Sequence, residues 1–204
     1  IGGEPLMYKR IDEIITHLYK YNNYGKIQIN TNGTIVPKPE KMKVFQNDKI
    51  FFDISDYGET SRNLDKLLTE LKRLDIKHNA QSVTTWQDCG RIIKTNRKEE
   101  HNKEVFGNCC ENQGLTILHG KLYLCPFAAN ATNLKALPYH SKEIIELEKH
   151  EKNVLRKLIH DLYFKTEYLE ACKSCNGRDH NVGKIDAAVQ LKAPVKYDFI
   201  DIKI

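Results

Sequence analysis

The sequence predicts an α/β protein, a parallel sheet covered by helices, followed by a smaller cysteine-rich α+β region. Three observations predict it. Helix-period and strand-like segments alternate over the first 85 residues with short connections. KIFFDIS (Lys49 to Ser55) is a near-continuous apolar run bounded by polar residues, which suits a parallel strand buried on both faces. After about Thr84 the periodicity lapses, and Cys109, Cys110, Cys125, Cys172 and Cys175 gather in the remaining half. The domain boundary is therefore placed near residue 85, giving regions 1–85 and 86–204.

Ile11, Ile14, Ile15 and Leu18 form an i, i+3, i+4, i+7 stripe, so residues 8–21 read as an amphipathic helix. Asn22, Asn23 and Gly25 end it. KIQIN (Lys26 to Asn30) alternates with β-branched residues as a strand does, and TNGT (Thr31 to Thr34) follows as a turn, because Asn-Gly tolerates positive φ. Pro37 and Pro39 precede a short helical stretch reaching about Phe45. Leu64, Leu67, Leu68 and Leu71 mark a second clean helix, with Thr60 or Ser61 as its expected N-cap. Residues 76–83 read as the next strand. Residues 86–112 lack periodicity. Leu115 to Cys125 is a hairpin hinged at His119-Gly120, residues 141–165 read as helical, and ACKSCNGRD (Ala171 to Asp179) is a turn-rich C-x2-C knuckle. Apolar segments follow near 184–191 and 197–204.

Only Ile1 remains of the strand expected before the first helix, so IGGEP sits where a strand hands over to a helix, at the carboxyl edge of the sheet. Ligands of α/β sheets bind at that edge. Glycines there permit close backbone approach, Glu4 can accept hydrogen bonds from an ammonium, and Pro5 suits the first turn of a helix.

With 204 residues the chain can bury a real core, and 40% apolar with 29% charged residues is ordinary globular usage. No apolar run approaches membrane-spanning length, so no membrane role is expected. The net charge of +5 is spread among interleaved acids, as in RKEEHNKE (Arg97 to Glu104). That is the pattern of a solvated face, and nucleic acid is not an expected partner. Six cysteines without an export-type leader argue for reduced thiols or metal ligands in a cytoplasmic protein, not for a disulfide framework.

Two residues of spacing let Cys172 and Cys175 bind one metal centre, and two more thiolates must come from elsewhere. Cys125, at the end of the hairpin, supplies one. Cys110 supplies the other, with Cys109 as its alternative. Zinc and iron–sulfur centres both accept four thiolates, so spacing leaves the metal open. Cys89 reads as a lone thiol, the histidines show no metal spacing, and Asp88, Arg91 and Arg178 are loop charges that could meet a substrate.

GGEP, then TNGT after the next strand, then FDIS with Asp56 after the one beyond, resembles the radical S-adenosylmethionine superfamily. The downstream cysteines and the ending CNGRD…IDAAVQ resemble its twitch or SPASM-type extensions. The resemblance covers essentially the whole chain. It implies a partial (β/α) barrel, 1–85, and an auxiliary 4Fe–4S region, 86–204. It implies S-adenosylmethionine contacts from Gly2, Gly3, Glu4 and Pro5, with Asn32 and Ser55 at the carboxylate and ribose. It further implies an oxidoreductase that uses a 5′-deoxyadenosyl radical for hydrogen abstraction. The auxiliary cluster would accept an electron, and a flavodoxin or ferredoxin would donate one. The substrate would be a sugar, an aminocyclitol or a peptide. No catalytic residue is assigned.

The superfamily's C-x3-C-x2-C loop, which holds the catalytic 4Fe–4S cluster, has no counterpart in this sequence. The chain accordingly reads as the remainder of a longer protein, inactive by itself, whose intact form would carry that cluster. The alternative reading is a zinc-stabilised binding module without catalysis, touching RNA through scattered lysines.

Overall fold

The structure is a computed structural model that describes residues 3–179 and 181–187. Gly2, one of the expected ligand contacts, the end of the IDAAVQ segment and the apolar stretch 197–204 lie outside the described residues. The described chain divides into two units. One runs to Thr85 and takes in Asp186 and Ala187, and the other runs from Trp86 to Ile185.

In the first unit three strands, β1 (Ile27–Thr31), β2 (Ile50–Asp56) and β3 (His78–Ser82), pair in parallel in the order β1-β2-β3. Helices α1 (Ile11–Leu18), α2 (Pro39–Met42) and α3 (Leu64–Arg73) connect or precede them. The unit is thus α/β with a parallel sheet. Its core joins Ile11 and Ile15 of α1, Met42, Phe45, Phe52 and Ile54 of the middle, and Leu67 and Leu71 of α3. Phe45 and Phe52 meet edge to face with ring centroids 5.1 Å apart, the arrangement that aromatic quadrupoles favour.

Two expectations are corrected here. β2 is not buried on both faces: Ile50, Phe52 and Ile54 are buried, while Phe51, Asp53 and Ser55 are only partly so. Alternation within IFFDISD hid in the sequence because Phe51 is apolar; the Lys26 ammonium stands over its ring, 4.3 Å from the centroid. Nor does Thr60 or Ser61 cap α3. Asn63 occupies the N-cap position without a side-chain capping bond, and the buried Ser61 hydroxyl donates to the Asn32 carbonyl at 2.6 Å.

In the second unit, α4 (Glu99–Gly107) precedes a three-stranded antiparallel sheet, β5 (Thr116–Leu118), β6 (Lys121–Tyr123) and β7 (Ile144–Glu146). The β5–β6 turn places His119 at φ 50° and Gly120 at φ 72°, the positive-φ pair of a tight hairpin. Helix α5 (Pro126–Asn133) follows β6, and α6 (Lys152–Lys165) follows β7. Residues 144–146 therefore form a strand, not the start of a helix, because Ile144 and Ile145 pair with Tyr123 and Leu122. Helix α4 lies inside the stretch that lacked periodicity. Its apolar side is too sparse to register as a stripe, and Asn102 is its only buried residue. A two-stranded sheet pairs β4 (Thr85–Gln87) with β8 (Lys184–Asp186). No helix among the described residues is long and apolar enough to cross a membrane.

Candidate functional sites at the sheet edge and the cysteine cavity

The first candidate site lies at the carboxyl end of β1. Gly3 has φ 79° with open space where a side chain would stand, so its glycine serves backbone conformation. Pro5 opens a 3₁₀ turn, Pro5–Met7. Glu4 caps that turn by accepting from the Leu6 amide at 3.0 Å, and it also accepts from the Thr31 hydroxyl at 2.8 Å and the Asn32 amide at 2.9 Å. GGEP and TNGT are thus tied together by one carboxylate. Three of its roughly four acceptor positions are used inside the chain, leaving one for a ligand cation. Asn32 is engaged too: its Oδ1 accepts from the Thr34 amide at 3.0 Å and the Thr34 hydroxyl at 2.6 Å. Ser55 is half-buried near the end of β2, opposite Gln81.

Removing the Glu4 carboxylate strands the buried Thr31 hydroxyl and an amide. Glu4→Ala is expected to lower stability by about 1–3 kcal/mol in urea unfolding, with Glu4→Gln losing less.

The sheet face away from the apolar core carries Gln28, Asn30, Asp53, Ser55, Asn79 and Gln81 in register. Gln28 donates to Asn30 at 2.8 Å and to Asp53 at 3.1 Å, and Asn79 donates to Asp53 at 3.4 Å. This polar face was masked in the sequence by the apolar look of β2.

The second site is a cavity lined by Cys109, Cys125, Cys172 and Cys175 together with Val105, Phe106 and Gly177. Helix α4 ends just before Cys109, the hairpin ends at Cys125, and the 3₁₀ turn Glu170–Ser174 carries Cys172. Three sulfurs accept backbone hydrogen bonds. Cys109 accepts from Arg178 at 3.2 Å, Cys172 from Leu169 at 3.4 Å, and Cys175 from Gly177 at 3.3 Å. Cys125 is the N-cap of α5, where the Phe127 and Ala128 amides favour its charged form without reaching hydrogen-bonding geometry. The Arg97 guanidinium donates to the carbonyls of both Cys172 and Cys175, bracing the knuckle, while its Nε is buried without a hydrogen-bond partner. Thr95 adds a second brace, donating from its amide and its hydroxyl to the Lys173 carbonyl.

Of the two adjacent cysteines, Cys109 lines the cavity. Cys110, ranked first from the sequence, is exposed and is not among the lining residues. Cys89 lies near the group, with its carbonyl accepting from Asn176 and its charge felt at Cys175. Its position could not be read from the sequence, since it is brought there by contacts with the knuckle 80-odd residues onward. Arg97 was missed for the same reason. Asp88 and Arg91 pair with each other at 2.6 Å, and Arg178 pairs with Glu111 at 2.6 Å.

Burial pushes Cys125 above the ordinary thiol range, and Cys172 and Cys175 up to about 12. They stand as protonated thiols at neutral pH and become ligands by giving their protons up to a metal. Burial also raises the Cys110 thiol, but Cys110 is exposed, so in metal-free protein at mildly alkaline pH iodoacetamide should modify it before Cys172 or Cys175, as peptide mass mapping would reveal. Raising the pH toward their titration should narrow the gap.

Gly177 adopts φ 78°, and a Cβ there would stand 3.1 Å from both the Val105 carbonyl oxygen and its Cγ1. Gly177→Ala is expected to cost more than about 1 kcal/mol in thermal unfolding and to weaken metal loading, because the displaced amide leaves Cys175.

Among the described residues, no three His, Cys, Asp or Glu side chains are placed to hold a single metal ion. A zinc tetrahedron requires sulfurs about 3.8 Å apart, given Zn–S bonds of about 2.3 Å. The four thiols surround a common space without closing on one point. The chain matches no protein-family model and no curated protein.

Proposed function

We propose that this chain is part of a radical S-adenosylmethionine oxidoreductase, its first unit a partial (β/α) barrel and its second a twitch- or SPASM-like region. Cys109, Cys125, Cys172 and Cys175 would hold an auxiliary 4Fe–4S cluster. The observation that carries the proposal is the convergence of four thiols, from three separated segments, on one cavity. A four-thiolate donor set is the set that such a cluster takes. When bound, the cluster supplies one-electron redox chemistry.

The chain's own residues set the terms of that chemistry. Amides of Leu169, Gly177 and Arg178 stabilise thiolate charge, and the Arg97 cation offsets the negative charge of a loaded site. At the sheet edge, Gly3, Glu4, Pro5, Asn32 and Ser55 would contact S-adenosylmethionine. The polar face around Asp53 offers donors and acceptors to a hydroxyl-rich or peptide substrate. An electron donor of the flavodoxin or ferredoxin kind completes the reading.

One observation favours the zinc module instead. The space among the thiols is only about 20 Å³, room for little more than a water-sized occupant, so a cluster requires the surrounding loops to move outward. Anaerobic reconstitution of the full chain with iron and sulfide separates the two. A brown protein with about four irons per chain supports the cluster. A colourless protein that takes one zinc and refuses iron overturns it.

A further inference from the structure

The second unit contains another cavity, of about 310 Å³ and partly open to solvent, within the size range of small-molecule sites. It is separate from the cysteine cavity. The turn Glu170–Ser174 forms the wall between them, with Leu169 and Ala171 lining both. Much of the lining is apolar: Leu124 just after β6, Ala128 of α5, and Ala136 and Leu137 of the segment after α5 contribute.

The charged groups around this space are unevenly matched. Lys173 pairs with Glu170 at 2.6 Å, and Arg91 with Asp88 at 2.6 Å. Glu143 has no ion pair among the described residues; one of its oxygens accepts from the Glu170 amide at 2.8 Å. A half-buried carboxylate with no cation in salt-bridge reach beside an apolar cavity is costly, and a ligand cation in contact would relieve that cost. Burial holds the Glu143 carboxyl above the ordinary carboxylate range, although His140 and Lys173 oppose the shift from a distance.

We propose that this cavity is a binding site for a small amine: an ammonium against Glu143 and an apolar body among Leu124, Ala128, Leu137 and Leu169. The site does not depend on which metal the cysteines hold. Lys94 and His140 also line the space and would favour a carboxylate instead, so charge sign is the deciding variable.

Phenethylamine and 3-phenylpropionate, which share a phenylethyl body and are opposite in charge, serve as probes in NMR titrations of the full chain near neutral pH. Phenethylamine is expected to bind at least about tenfold more tightly, with resonances of Ala128 and Leu169 shifting. Glu143→Gln keeps an acceptor for the Glu170 amide and removes only charge; it should weaken the amine about tenfold and leave the circular dichroism unchanged. Ala128→Leu fills the cavity and should abolish binding of the amine. Tighter binding of phenylpropionate, unchanged amine affinity in Glu143→Gln, or no binding of either probe at millimolar concentration overturns the proposal.

Discussion

Cys109→Ser is expected to prevent a full four-iron complement, whereas Cys110→Ser loads as the unsubstituted chain does. The two residues are adjacent, equal in chemistry and opposite in environment. Cys109 lines the thiol cavity and receives the Arg178 amide, while Cys110 is exposed. Cys125→Ser, Cys172→Ser and Cys175→Ser should each behave like Cys109→Ser, since a hydroxyl is a poor substitute for thiolate at iron. Iron and sulfide analysis after anaerobic reconstitution, with the visible absorption of the product, reads the result directly. Serine is nearly isosteric with cysteine, so the apo protein should keep its circular dichroism and lost loading can be assigned to the ligand. Full loading of the Cys109 variant beside a failed Cys110 variant would sink the ligand assignment.

The largest effect on stability is expected at Phe52. Its side chain is fully buried at the centre of the parallel sheet and meets Phe45 at an interplanar angle of 88°. Phe52→Ala should cost about 3–5 kcal/mol, from lost transfer free energy together with the cavity left behind. That is a large share of the roughly 5–15 kcal/mol that holds a typical domain. Urea titration followed by circular dichroism, with amide exchange on β1, β2 and β3, would register the loss. Phe51→Ala, next to it on the polar face and only half-buried, should cost far less. Equal losses at the two positions would contradict the one-sided burial of β2.

The elements of the first unit were legible in the sequence because their signals are local. The leucine stripe of α3 and the isoleucine stripe of α1 carry helical period in side-chain identity, and TNGT carries the positive φ of Gly33. The carboxyl-edge location of GGEP followed from the order of those elements. The hairpin turn at His119-Gly120 was legible for the same local reason. Of the candidate sites, the C-x2-C pair and Cys125 stood out by spacing and position in the chain.

Other features depended on partners far along the chain. Which of Cys109 and Cys110 lines the cavity is set by the residues that end α4 and by the return of Arg178, which no spacing rule contains. Ile144 and Ile145 follow the pairing offered by β6 over any local helical tendency. Glu4 looked free for a ligand until Thr31 and Asn32 came within hydrogen-bonding reach of it. Arg97 carries no motif, yet it braces a knuckle 75 residues away in the chain. The sequence by itself determined the alternating α/β order of the first unit and the thiol chemistry of the second, since periodicity and residue type are written locally. Only the tertiary structure decided which thiols share a cavity, which sheet face is polar and which carboxylate is already engaged. Those outcomes come from desolvation and hydrogen bonding between segments that meet only on folding.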